Sequence, residues 1–467
     1  MKFARALLPL ALLCFAASAE AQVQPVDAAA RARDRVIYEH IIDMNTAVSG
    51  GQVPAMAAYL ADQFRAAGFP DADIHILPLG NTASLVVRYR GDGTGGRPIV
   101  FMAHMDVVEA RREDWTRDPF TLVEENGYFF GRGTLDIKEG VSNLSATFLD
   151  LKAQGFKPTR DLILYFSGDE ETSGATTIAA LRDHRDLLDA EFALNADAGG
   201  GSLSETTGNA QTYALQTAEK TFASFTLTAH NPGGHSSQPR PDNAIYDVMD
   251  ALEHLHAYQF PVMWNDTTIA SMRAAGATDD GPIGQAMKRF AAHPGDARAA
   301  AVLSSSPFHV GQIRTTCVPT LLAGGHADNA LPQSAVATVN CRIFPGVAIS
   351  AVQAQIQQLS GPKITVAPLD NYHSSDASPL RADVLAAVTQ AVHAIHPDVP
   401  IIPSMSAGAS DGVFFREVGI PTYGVADIFI KDSDDFSHGL NERLPVQSFY
   451  DGLTYWRVLI NALAGPH

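Results

Sequence analysis

The sequence predicts an α/β protein, a mostly parallel sheet covered by helices and interrupted by an inserted α+β domain of ferredoxin-like order. Three observations carry that expectation. The chain has 467 residues, enough for two or three domain-sized units. Apolar runs of strand length alternate with helical patterns, as in a parallel sheet buried on both faces. After about Thr217 the order becomes β-α-β-β-α-β, the split arrangement of ferredoxin-like domains. Composition narrows the class further. A hydrophobic fraction of 46% with 18% charged residues belongs to a globular chain. The formal charge of −18 excludes a protein that neutralises nucleic-acid phosphates and argues against docking on anionic lipid.

In chain order, Lys2 and Arg5 precede the apolar run Leu7 to Ala17, and Ala17-Ser18-Ala19 and Ala19-Glu20-Ala21 offer small-x-small cleavage patterns. Residues 1–21 therefore read as a secretory signal peptide, so the protein is expected to be exported, periplasmic or secreted. Leu13 before Cys14 does not suit lipoprotein processing, and no other apolar stretch suits a stable membrane anchor. Ala28 to Ala67 has helical spacing and stops at Gly68-Phe69-Pro70. Strands are expected at Pro98–Ala103, Leu162–Phe166, Phe192–Leu194 and Pro421–Val425, with helices at Glu139–Gln154 and Thr176–His184.

The inserted unit begins with an alternating strand, Lys220–His230, and an amphipathic helix, Ala244–Tyr258. Strands around Gln312–Leu322 and Ala335–Phe344, a helix at Ile349–Leu359 and a strand at Lys363–Ala367 complete it. Pro261 to Pro307 reads as an extra helical elaboration. The expected boundaries are 22–216 and 372–467 for the main domain and 217–371 for the insertion. A hairpin centred near Asn329 would set Cys317 opposite Cys341. An oxidising compartment permits a bridge, but cross-strand geometry is often poor for one, so a disulfide and two buried thiols both stay open.

Chemistry-bearing groups fall just after the apolar strands. His104-Met105-Asp106 ends one run, and residues two apart in a strand share a side. Asp136 stands at a helix start in Gly131-Arg-Gly-Thr-Leu-Asp136, where alone it reads as a cap. Asp169-Glu170-Glu171 puts three carboxylates after a buried strand, an arrangement that is costly unless a cation neutralises it. Asp197 precedes Gly199-Gly-Gly201, and His438 lies in Asp434-Asp-Phe-Ser-His438-Gly. Each alone is more often structural than functional. Together, at the carboxyl ends of parallel strands, two His and several carboxylates suit a pair of divalent ions.

With these five motifs in this order, the chain resembles the dinuclear-zinc metallopeptidases that include carnosine dipeptidase, aminoacylase, glutamate carboxypeptidase and succinyl-diaminopimelate desuccinylase. The resemblance spans essentially the whole mature chain. It implies two divalent metal ions per subunit, zinc first, with cobalt or manganese as alternatives. It implies His104 and Asp197 on one ion, Glu171 and His438 on the other, and Asp136 bridging. Glu170 would be the general base and Asp106 the group that orients His104. Asp at 197 resembles the dipeptidase and vacuolar-type carboxypeptidase members, whereas Glu139 between Lys138 and Gly140 departs from the helix-start motif. The insertion resembles the family's lid and dimerisation domain, so a homodimer through the lid is implied. His235 in Asn231-Pro-Gly-Gly-His235-Ser-Ser, Asn329, Arg342 and Gly408 match residues that contact substrate. The implied activity is hydrolysis of short peptides, as a carboxypeptidase or dipeptidase, by a metal-bridged hydroxide. The alternative is an N-acyl amino acid amidohydrolase.

Overall fold

A computed structural model describes residues 26–466. The expected signal peptide lies outside the described residues. Where apolar spacing predicts one N-terminal helix there are two, Ala28–Ile42 and Val53–Ala66. The break has a local cause. Asn45 Oδ1 accepts from the Ala47 N–H at 3.1 Å, and Gly51 adopts a left-handed φ of +64°. Proline in the first turn then starts the second helix.

The large sheet has ten strands. Its centre is parallel, with Leu162–Ser167, Ile99–His104, Phe192–Asn195 and Thr422–Gly424 side by side. Antiparallel strands flank this centre, Thr82–Tyr89 on one side and Ala210–Glu219 on the other. The central strands are buried along their whole length because helices cover both faces. On one face Phe101 meets Phe148 of the helix Lys138–Ala153 and Trp456 of the helix Val446–Ala464, edge to face at 5.8 and 6.1 Å. On the other, Tyr165 packs with Phe415 and Leu181. His104, Ser167 and Asn195 therefore end parallel strands at one edge, and the loops that follow them converge there.

The second sheet has four antiparallel strands, in the spatial order Thr316–Gly324, Ser334–Ile343, Thr221–His230, Ile364–Pro368. Helices Ala244–Ala257 and Ile349–Ser360 share its core, which gives the expected ferredoxin-like arrangement. Cys317 and Cys341 face each other in register and are joined by a disulfide, which decides between the bridge and free thiols. Three helices fill the Pro261–Pro307 segment around Met272, Met287, Phe290 and Leu303. They do more than elaborate the insertion. Helix Asp266–Thr278 packs on the large-sheet strand Ile401–Ser406, with the Thr267 and Thr217 hydroxyls 2.5 Å apart. Among the described residues, no helix is long and apolar enough to cross a membrane.

Candidate metal centre

The five motifs meet at the carboxyl edge of the parallel strands. His104 Nε2 lies 3.1 Å from Asp136 Oδ1 and 3.7 Å from Asp197 Oδ1. On the other side, His438 Nε2 lies 2.9 Å from Glu171 Oε1 and 3.2 Å from Asp136 Oδ2. Asp136 thus stands between the two histidines and turns one oxygen to each. Two overlapping donor groups result, His104–Asp136–Glu171 and His104–Glu170–Asp197, each with its ligand atoms within 4.8 Å of one another.

Burial and crowding govern the protonation of this cluster. Burial, reinforced by the Asp197 charge, pushes the Glu170 carboxyl well above the carboxylate range. Asp197 is pushed up to about 6, chiefly by burial. Burial also acts to raise Asp136, but hydrogen bonds to His104 and His438 hold it below its usual range. Burial opposes a charged His104, yet the Asp197 and Asp136 carboxylates raise its pKa well above normal. The same partnership with Asp136 and Glu171 lifts His438 to about 10. Among the described residues, Asp136, Glu171 and Asp197 form ion pairs only with histidine, and none of the four carboxylates pairs with Lys or Arg. A set of four carboxylates and two imidazoles, rich in negative charge and free of sulfur, fits hard or borderline divalent cations.

Asp106 makes a contact other than the one its spacing suggests. The His104 Nδ1 atom bonds the Asp106 backbone oxygen at 2.9 Å, while the carboxylate is 3.6 Å away. That carboxylate instead accepts from the Glu170 and Glu171 N–H groups at 3.1 and 3.0 Å. The side chain thus fixes the acidic loop while the backbone oxygen of the same residue holds the imidazole. The strand ends at His104, so strand alternation no longer governs Asp106.

The sequence reading missed Glu442. It is buried, accepts from the N–H groups of Gly133, Leu135 and Asp136 at 3.1, 2.7 and 2.9 Å, and pairs with Arg132 at 2.6 Å. The loop that presents Asp136, with its cis Asp136–Ile137 peptide, is built around this carboxylate. Asp169 plays a comparable part after Glu170–Glu171, accepting from the Ala175 and Thr176 N–H groups at the head of the next helix.

The four lid and loop residues are placed apart from the cluster. His235 and Asn329 are exposed on neighbouring short strand ends, where the Ser236 N–H donates to the Asn329 oxygen at 3.1 Å. Among the described residues, no hydrogen bond or ion pair joins either to the acidic cluster. Arg342 donates to the Ala407 oxygen at 2.7 Å, next to Gly408, and its guanidinium lies over the Phe222 ring at 4.8 Å. Gly408 is exposed in that turn, its N–H bonded to Ser406 Oγ.

The sequence profile of peptidase family M20/M25/M40 matches residues 100–462. The chain belongs to that family. Its M20 membership makes it a metallopeptidase, a hydrolase of peptide or amide bonds. Human N-fatty-acyl-amino acid synthase/hydrolase PM20D1 is 28% identical over 372 residues, which cover 77% of this chain and 73% of the relative. The Dictyostelium discoideum protein named "Probable carboxypeptidase S-like 2" is 26% identical over 81% of this chain and 74% of its own length. The fold matches that of the M20 metallo-carboxypeptidase Sso-CP2 of Sulfolobus solfataricus, with a TM-score of 0.70 at 16% identity, covering 92% of this chain and 99% of that one.

Proposed function

We propose that this M20 protein is an exported, two-metal exopeptidase that hydrolyses short peptides as a carboxypeptidase or dipeptidase. The observation that carries the reading is the paired donor set, in which Asp136 divides its oxygens between His104 and His438. In this proposal His104 and Asp197 would hold one ion, Glu171 and His438 the other, and Asp136 would serve both. Zinc is the first expectation, with cobalt and manganese as alternatives. When bound, the ions supply Lewis-acid activation of water and of the scissile carbonyl.

The chain's own groups do the rest. Glu170, held at its backbone by Asp106, takes a proton from the attacking water and returns it to the leaving amine. The four-stranded sheet acts as a lid, and its closure brings His235 and Asn329 toward the substrate. His235 stabilises negative charge on the tetrahedral oxygen. Arg342 and the turn at Gly408 receive the substrate carboxylate. The lid's edge strand Thr316–Gly324 exposes Val318, Leu321 and Leu322, an apolar row available to pair with a second copy in a homodimer.

A second reading, an N-acyl amino acid amidohydrolase, is favoured by similarity to the N-fatty-acyl-amino acid synthase/hydrolase relative. One experiment separates them. Metal-loaded protein is incubated with matched peptides free or blocked at one terminus and with N-acyl amino acids, and products are identified by mass spectrometry. Cleavage that tolerates an N-terminal block and needs a free carboxylate indicates a carboxypeptidase or deacylase, and the acyl series then distinguishes these two. A need for both free termini indicates a dipeptidase. No cleavage of any amide with two ions bound overturns the proposal.

A further inference from the structure

A cavity of about 510 Å³ opens beside Glu170, where the chain crosses between the two sheets. Phe222 on the outgoing crossing and Tyr372 on the returning one meet edge to face at 5.7 Å. Ile178 and Phe414 complete the apolar wall. Phe414 has room because residue 174 is glycine, at φ +62°. A Cβ there would lie 2.4 Å from the Phe414 ring. Phe222 is 39% exposed; the Arg342 guanidinium lies over its ring and Tyr372 meets its edge, and the ring lines the cavity that Glu170 also lines. Aromatic surface lining a cavity beside a reacting centre is the physical form of a side-chain pocket.

The cavity also has a polar end. Lys220 lines it and is buried, and among the described residues it has no carboxylate partner; its ammonium donates to the Arg314 backbone oxygen at 2.8 Å. Burial and the nearby Arg342 lower its pKa to about 7, a cost that a bound anion would offset. The turn residues Ala409 to Asp411 line the same end.

We infer that this cavity receives the leaving residue of the substrate, with Lys220 joining Arg342 and the Gly408 turn at its free carboxylate and Phe222, Tyr372 and Phe414 enclosing a large apolar side chain. The inference rests on the proposed amide hydrolysis and names the substrate class, amides whose carboxyl-terminal residue is aromatic or branched aliphatic. An acidic side chain is disfavoured because, among the described residues, Lys220 is the single Lys or Arg lining the cavity beside Glu170, Glu219, Asp370 and Asp411, which leaves a second negative charge without a partner.

The test uses the full mature chain, loaded with zinc, and N-acetyl derivatives of phenylalanine, leucine, alanine and aspartate, with N-acetyl-phenylalanine amide as the blocked control. Phenylalanine and leucine should exceed alanine in kcat/KM by at least about tenfold, with aspartate and the amide lowest. Phe222→Ala and, separately, Tyr372→Ala should bring the phenylalanine-to-alanine ratio close to one. Turnover with no such preference, or with a ratio unchanged in both variants, overturns the pocket and leaves the hydrolase reading standing. Calorimetric titration with free L-phenylalanine and L-alanine provides a readout independent of turnover. Should no amide be cleaved, selective binding of phenylalanine that Phe222→Ala abolishes still supports the pocket, and equal or absent binding overturns it.

Discussion

Replacing Glu442 with alanine strips the Asp136 loop of its central acceptor. The carboxylate serves three backbone N–H groups, Gly133, Leu135 and Asp136, and pairs with Arg132. The Glu442 and Arg132 side chains are 0% and 3% exposed, so water does not readily take over. Removing one member of a buried ion pair costs about 3–5 kcal/mol. Each amide left without an acceptor adds about 1–3 kcal/mol, reduced where water enters the space vacated by the side chain. The variant should therefore lose about 5 kcal/mol, a large share of the roughly 5–15 kcal/mol that holds a typical domain together. Urea unfolding, followed by tryptophan fluorescence, reads this loss. Metal content after dialysis should fall below two ions per chain, because the Asp136 backbone is no longer fixed. The double variant Arg132→Met, Glu442→Leu should recover part of the stability by removing the orphaned charge. A Glu442→Ala protein within about 1 kcal/mol of the parent, still holding two ions, would refute this account of the loop.

Glu170→Gln should lower kcat by about 10²–10⁴-fold with both ions retained, whereas Asp136→Ala should lose metal as well; activity and metal analysis on the same samples check both. Burial and the adjacent Asp427 raise the Glu139 carboxyl well above its usual range. A raised pKa gives stability that is full below the unfolded value, about 4.3, and declines as pH rises through the folded value. Glu139→Gln should flatten that decline, so its stability relative to the parent improves from pH 5 to pH 8 in urea titrations. For the proposed homodimer, Leu321→Lys on the exposed edge strand should lower the mass measured by light scattering to that of a folded monomer.

Much of this site could be read along the chain because parallel strands end at one edge. A histidine or carboxylate just after a buried apolar run is carried there by the sheet itself, as His104, Glu170, Glu171 and Asp197 are. Asp136 and His438 lack a strand of their own; they stood out as candidates, but their places on the two ions came only from the resemblance. Glu442 left no such mark. It lies 306 residues from Asp136, and its role depends on three amide groups that no side-chain pattern reveals. The aromatic cavity was equally hidden, because Phe222 and Tyr372 lie on separate crossings and only the closed topology joins them. Nor does helical spacing before Gly68 register the turn at Asn45, because a ten-residue break leaves the apolar rhythm nearly intact on both sides.

The Cys317–Cys341 bond fastens the lid's outermost strand to the strand that carries Arg342. Where a preparation is made therefore becomes part of its chemistry. Material folded in a reducing cytosol would reach the bench with that outer strand lacking its covalent tie to its neighbour, and thiol additives in storage buffer would have the same effect. Two laboratories using an identical sequence could then measure different stabilities, with the discrepancy lying in the tube rather than the gene. Counting free thiols before any assay is the simplest way to know which form is in hand.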